Sequence, residues 1–320
     1  MKTRFAAVVS VAVLSACGPG VGTLSVIVEA EDVITEGLTP GTGAENIRDG
    51  WTVDFSKYLV AIGDIEVELA TDSKVHTHAE EVYVVDLKKV PASGLALWTL
   101  DMMQAGTWNF GFATPGAADG ATKHESVTQA DFDAMKAADA TYLVAGTITK
   151  TDGRSCPPPS LAMPGGKTAM GMNSAGHACY AATSVAFDFT VQAETTYGPC
   201  ELDEKPGFTI AKGMTQTVAA TLHGDHLFFN GFPESSEGGV TRLAQWLADC
   251  DLNLDGTVTR AELEAVTPTA LAEIDTRYQL GGSPITPLDT MWKYVTAQLK
   301  TLGHMNGEGE CGIDGMGHSH

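Results

Sequence analysis

Twelve consecutive residues carry the densest chemistry in this chain: Asp251-Leu252-Asn253-Leu254-Asp255-Gly256-Thr257-Val258-Thr259-Arg260-Ala261-Glu262. Oxygen-bearing side chains recur at positions 1, 3, 5, 7, 9 and 12. A hard cation such as calcium takes six to eight oxygens at about 2.3–2.6 Å, and a loop with this spacing can wrap them around one point. Asp251, Asn253 and Asp255 offer side-chain oxygens. Thr257 offers its backbone carbonyl, Thr259 acts through a water, and Glu262 closes the cage with both carboxylate oxygens. Gly256 stands where the chain must turn through positive φ.

This pattern resembles the EF-hand calcium loop at every defined position. The resemblance covers residues 240–266 and implies one Ca2+ site made by Asp251, Asn253, Asp255, Thr257 and Glu262. The flanks agree. Val240, Leu243, Leu247 and Cys250 form a helical stripe entering the loop, and Thr259 with Glu262 forms a capping box for the helix that leaves it. EF-hands usually pair through position 8, here Val258. Residues 278–289 read as a decayed partner loop, with Ile285 at its position 8 and Thr286-Pro287-Leu288-Asp289 capping a helix that carries Met291, Trp292, Val295 and Leu299. Three carboxylates in ligand positions do not make a tight buffer, so the expected role is structural.

The histidines give a second signal. His76 and His78 share one face of a strand, and His223 and His226 bracket Gly224-Asp225. Imidazole suits zinc or copper, so the alternative expectation is a zinc or copper chaperone using these pairs. His304 precedes Glu308, Glu310 and Cys311. Met163, Met170, Met172 and His177 crowd one loop, where thioethers would suit Cu(I), although loop filler is the plainer reading. No His-Glu-x-x-His, Cys-x-x-Cys, Gly-x-Ser-x-Gly or phosphate-loop motif occurs. A hydrolase with scattered catalytic residues is the third expectation, and no catalytic residue is assigned.

The first residues set the compartment. Lys2 and Arg4 precede an apolar run over residues 5–14, shorter than the roughly 20 residues that span a bilayer. Leu14-Ser15-Ala16-Cys17 then resembles the lipobox of bacterial lipoproteins. That resemblance implies cleavage before Cys17, acylation of its thiol and amine, and stable anchoring by several chains. Gly18 in place of Asp leans toward the outer membrane. The expected location is the cell envelope, with membrane contact through the lipid anchor only.

The net charge is −21, and −23 once Lys2 and Arg4 leave with the leader. Such a balance excludes nucleic-acid binding. Five cysteines remain beside Cys17. An exported compartment permits disulfides, so Cys156 is paired with Cys179 and Cys200 with Cys311, leaving Cys250 as a buried thiol.

These sites need a scaffold. Strand-like alternation occupies residues 23–34, 51–55, 62–69, 81–90, 106–113, 141–149, 185–191, 208–210 and 216–229, with one helix capped by Thr128. Period-2 patterning with one polar face predicts a mainly β protein, an antiparallel β-sandwich with a C-terminal helical EF-hand appendage. The expected segments are a lipoprotein signal peptide (1–16), a tether (17–22), the sandwich (23–235), the helical EF-hand segment (236–303) and a Gly/His tail (304–320). The proposed clasp would stabilise a surface for an unknown protein or small-molecule partner.

Overall fold

The computed structural model describes residues 20–118, 120–232 and 239–315. The lipobox and Cys17, together with His318 and His320, lie outside the described residues. The chain is mainly β, as its alternation requires. No helix among the described residues is long and apolar enough to cross a membrane.

The large sheet is organised by one 18-residue strand, Thr52–Leu69. Its first half pairs antiparallel with Tyr142–Thr149 and its second half with Gly106–Thr114. The switch of partner falls at a register shift between Gly63 and Glu66, where Asp64 takes φ 56°. A Cβ on Gly63 would lie 2.4 Å from the Glu81 carbonyl, so only glycine fits at this bend. The two stretches expected at 51–55 and 62–69 are therefore one bent strand. From it the sheet runs outward through Tyr142–Thr149 and Ser184–Val191 on one side. On the other it runs through Gly106–Thr114 and Thr195–Leu202.

The smaller sheet has four strands in the order Gly303–Met305, Thr215–Leu222, Val21–Ala30, Leu95–Gln104. Its central pair, Val21–Ala30 and Thr215–Leu222, is parallel, an exception to the antiparallel expectation. The strands expected at 23–34 and 216–229 both end early. The first breaks into a short helix at Asp32–Glu36 and the second into a 3-10 turn at Gly224–Phe228. Because the pair is parallel, both breaks fall at the same end of the sheet.

The described residues of the expected helical segment, 239–303, fold into short helices rather than long ones. They fold as Gln245–Asp249, Arg260–Ala265, Thr269–Ile274 and Met291–Leu299. Their buried side chains, among them Trp246, Leu247, Leu263 and Tyr294, belong to the same core as the strands. Rings run across the junction. Phe187 meets Phe55 at 6.2 Å, Phe55 meets Phe228 at 6.2 Å, Phe228 meets Trp246 at 6.3 Å, and Trp246 meets Tyr294 at 6.2 Å. The expected tail supplies two more strands: Gly303–Met305 joins the small sheet, and Glu310–Ile313 pairs with Thr195–Leu202. Glycine-rich composition hid them, because only Met305, Cys311 and Ile313 give apolar signal there.

Two disulfides, Cys156–Cys179 and Cys200–Cys311, join the expected partners, and Cys250 is a buried free thiol. Cys200 and Cys311 are directly opposed in the ladder between their strands, which places their Cα atoms 4.0 Å apart. The bond ties the end of the chain to the large sheet across 111 residues.

The expected helix is Gln129–Ala137, capped by the Thr128 hydroxyl, which accepts from the Asp131 amide. Asp131 also accepts from the Lys57 ammonium at 2.6 Å, fixing the helix to the long strand. That hydrogen bond, first, holds the Asp131 carboxyl below its usual value of 3.8. A lowered carboxyl pKa adds stability above the unfolded value and loses it as pH falls through the folded one. Asp131→Asn should therefore lower stability by about 0.5–1 kcal/mol at pH 7. The difference should shrink as pH falls below 3.8, as read by urea melts at pH 7 and at successively lower pH.

Candidate functional site

The twelve-residue loop folds around its own amides. Asp251 accepts from the Asp255 amide at 3.1 Å and from the Gly256 amide at 2.8 Å. Asn253 Oδ1 accepts from Asp255 at 2.8 Å, and Asp255 Oδ1 from Thr257 at 2.8 Å. Glu262 Oε1 accepts from the Leu252 amide at 3.0 Å, and Oε2 accepts from the Thr259 amide at 2.8 Å. The carboxylate at position 12 is thus turned back onto the start of the loop. Leu254 at φ 59° and Gly256 at φ 88° make the tight turns. Thr259 and Glu262 complete the expected capping box of the helix Arg260–Ala265. The entering helix is a single short turn that ends at Cys250.

Burial first, then the charges of Glu262 and Asp255, push the Asp251 carboxyl above its usual range, against the pull of the Gly256 amide. A cation at the centre of the loop would reverse that direction.

Position 8 does make its short β-bridge, but not to a second loop. Thr257–Val258 pairs parallel with Ala186 and Phe187 of the strand Ser184–Val191. Ile285 lies outside any strand, with its amide on the Ser283 hydroxyl. The helix expected to start at Thr286 instead begins at Met291, capped by Thr290, whose hydroxyl accepts from the Lys293 amide. Asp289 faces Lys293 at 2.9 Å. The partner of the loop is the body of the protein.

The disulfide-bonded segment 156–179 folds over the same loop. The Met163 amide donates to the Leu252 carbonyl at 2.7 Å, and the Lys167 ammonium donates to the Leu254 carbonyl. The Cys156 amide donates to Asp249 at 2.7 Å. Met163, Met170 and Met172 do not fill this loop. They are exposed.

The expected histidine pairs separate. His76 and His78 lie on the exposed strand Asp72–Ala79, opposite Glu68 and Glu66, and His78 Nε2 contacts Asp64 at 2.6 Å. His223 and His226 instead meet His304, which the sequence placed in a tail. Among the described residues, two groups of three bring one ligand atom from each member within 4.8 Å of the others: His223, His226 and His304, and Glu31, His223 and Asp225. Asp251, Asp255 and Glu262 spread around the loop amides and do not form such a group.

The second site has a simple origin. Glu31 follows the strand Val21–Ala30, and its amide donates to the Leu222 carbonyl. His223 follows the parallel neighbour Thr215–Leu222 and is the N-cap of the turn that carries Asp225 and His226. His304 lies on the third strand, opposite Thr221. Three adjacent strands therefore deliver five ligand-type side chains to one end of the small sheet. Gly224 lets the turn approach, since a Cβ there would lie 2.3 Å from Ile34. Ring centroids are 4.2 Å apart for His223 and His304, 5.7 Å for His223 and His226, and 5.6 Å for His226 and His304.

Burial, first, and then the neighbouring His223 hold His226 and His304 well below the usual histidine value, so both rings are neutral donors at pH 7. Burial, followed by the Asp225 carboxylate, pushes Glu31 up to about 9. Glu31 carries no signal in the sequence, and His304 is noted there only as part of a tail, because strand pairing alone brings both into reach of His223.

No protein-family model and no curated protein matches the chain. Among solved structures it is similar to MbnP from Methylosinus trichosporium, with 13% identity, 85% of this chain and 98% of that chain covered, and a TM-score of 0.26. A superposition that loose carries neither fold nor function.

The loop geometry is testable without a ligand. A Cβ on Gly256 would meet only the Ser184 carbonyl, at 3.6 Å, an ordinary contact. The burden of Gly256→Ala is then purely conformational, about 1–2 kcal/mol for a left-handed residue. Urea melts should show that loss, and Gly281→Ala, where φ is not positive and nothing lies within 4 Å, should show none.

Proposed function

We propose that the chain is an exported, lipid-anchored calcium-binding protein in which the ion acts as a clasp. The observation that carries this reading is the inward fold of the 251–262 loop. Asp251, Asn253, Asp255 and Glu262 all turn onto the loop's own amides, and position 8 is stitched to the strand Ser184–Val191. In this reading Asp251, Asn253, Asp255 and Glu262 ligate through side chains and Thr257 through its carbonyl. The two sheets are read as the layers of a sandwich, and the loop, the segment 156–179 and the short helices form a cap held on it by the ion.

Two disulfides support an oxidising compartment. Outside the cytosol calcium is abundant, so a site of about 10⁻⁴–10⁻³ M would stay filled. Clasping, rather than signalling, fits a loop whose position-8 partner is the sheet. A surface formed jointly by the cap and the large sheet is the proposed place for an envelope partner.

The test is calorimetric and thermal. One calcium per chain should bind. At a hundredfold excess over the dissociation constant, the ion should stabilise the fold by about 2.7 kcal/mol. Glu262→Gln should abolish the binding and the stabilisation together. Identical melting temperatures in calcium and in chelator would overturn the clasp, and a second calcium would overturn the single site.

A further inference from the structure

We propose that His223, His226 and His304 form a second, separate metal site, for a borderline divalent transition ion, zinc(II) or copper(II), with Glu31 as its fourth donor. The inference is independent of the calcium reading, because none of these residues belongs to the loop.

The first support is convergence. The three imidazoles offer nitrogens within 4.8 Å of one another. Nitrogens bound tetrahedrally at 2.0–2.1 Å lie about 3.4 Å apart, so each pair need close by at most about 1.4 Å.

The second support is the direction of the protons. A metal-binding imidazole donates its other N–H to the protein, which fixes the tautomer and leaves one lone pair for the ion. His223 Nε2 lies 2.9 Å from the Gly307 carbonyl, which can only accept. Its proton is therefore on Nε2, and Nδ1 carries the lone pair. His226 Nδ1 lies 2.9 Å from the Thr301 hydroxyl, whose own proton goes to the Gln298 carbonyl at 2.8 Å. Thr301 thus accepts from His226, and Nε2 is free to bind. Two of the three rings are locked from behind in the binding tautomer.

The third support is a set of buried polar atoms without partners. His304 Nδ1, Glu31 Oε2 and Asp225 Oδ1 are all sealed from water and accept no N–H or hydroxyl hydrogen bond; the Glu31 and Asp225 carboxyls have only each other. Such atoms are costly unless something satisfies them. Glu31 Oε2 stands 3.7 Å from His223 Nδ1, the atom with the free lone pair. One cation bound by the three imidazoles would satisfy the first of these atoms, and drawing in Glu31 Oε2, which converges on His223 and not yet on the other two rings, would satisfy the second. It would also place positive charge beside the third. Arg242 does not occupy that role, because its guanidinium is committed to the other oxygen of Asp225 and to Glu45.

The donor set selects the ion class. Three imidazoles and a carboxylate suit zinc or copper(II), and no thiolate takes part. Calcium is disfavoured, since it takes oxygen ligands. His304 is only half-buried while His223 and His226 are buried, so the ion would enter past His304.

The test uses the full-length chain in millimolar calcium, which keeps the loop saturated. Titration with zinc(II) should give one bound ion per chain, and copper(II) should give an electron paramagnetic resonance signal with nitrogen hyperfine structure. His226→Gln and His304→Gln should each weaken binding by at least about a hundredfold. Thr301→Val removes no ligand but frees the His226 tautomer, and should weaken it by about 10–100-fold. The double variant His76→Ala/His78→Ala should bind normally, and so should Glu262→Gln, which separates failure of this site from failure of the calcium clasp. Should the histidine variants misfold, nitrogen-15 spectra of the wild type decide. Zinc should shift Nδ1 of His223 and His304 and Nε2 of His226. Unshifted resonances, or binding that survives in His226→Gln and disappears in the His76/His78 variant, would overturn the proposal.

Discussion

The interaction on which the arrangement depends is the buried pair Asp225–Arg242. Asp225 has no solvent exposure, yet one of its oxygens receives the Arg242 guanidinium. The same guanidinium bonds to the Ala44 carbonyl and to Glu45, and lies over the Phe229 ring at 5.1 Å. The Arg242 backbone bridges to Phe229 and to Ile47. One residue thus gathers the loop 44–48, the histidine turn and the chain leading into the helix Gln245–Asp249. Removing one partner of such a pair strands a buried charge, a penalty of about 3–5 kcal/mol. The histidine turn would not keep its shape with this tie broken, since Asp225 is part of it.

The two candidate sites differ in how the fold makes them. The 251–262 loop is local: ligand positions, turn residues and capping box all fall within twelve residues, and its geometry comes from the loop's own amides. The histidine site is non-local. Its donors come from residues 31, 223, 226 and 304, and only the pairing of three strands assembles them. The first set is built from oxygens and the second mainly from imidazoles, so the two differ in the class of ion their donors favour.

The difference also sets what a reader of the sequence could see. The loop, its capping box, Cys156–Cys179, Cys200–Cys311 and the Thr128 cap are all legible, because each rests on short-range spacing or on a few cysteines. The β content is legible in alternation such as Val185, Phe187 and Phe189. The parallel pairing of Val21–Ala30 with Thr215–Leu222 is not, since alternation does not report the direction of a neighbour. Without it, Glu31 reads as the end of a strand and His304 as part of a tail. The helical stripe through Val240 and Leu243 misled in the opposite sense. Those apolar residues are spaced for a helix, yet the chain there is extended and bridges Phe229, and tertiary contacts decide. His76 and His78 do share a strand face, but that face is the exposed one.

The bridge at Thr257–Val258 has a further consequence, for association rather than for binding. The strand Ser184–Val191 pairs along its full length with Tyr142–Thr149, while on its other side, among the described residues, only Ala186 and Phe187 are paired, with the loop. That strand is the outer rail of the large sheet, alternating Val185, Phe187, Phe189 and Val191 inward. An uncovered rail of this kind is a template on which a second chain can add a strand. The two loop residues act as a stop at the middle of it, and a stop in the middle breaks the run that an incoming strand would need. Order in the loop therefore also guards that edge of the large sheet.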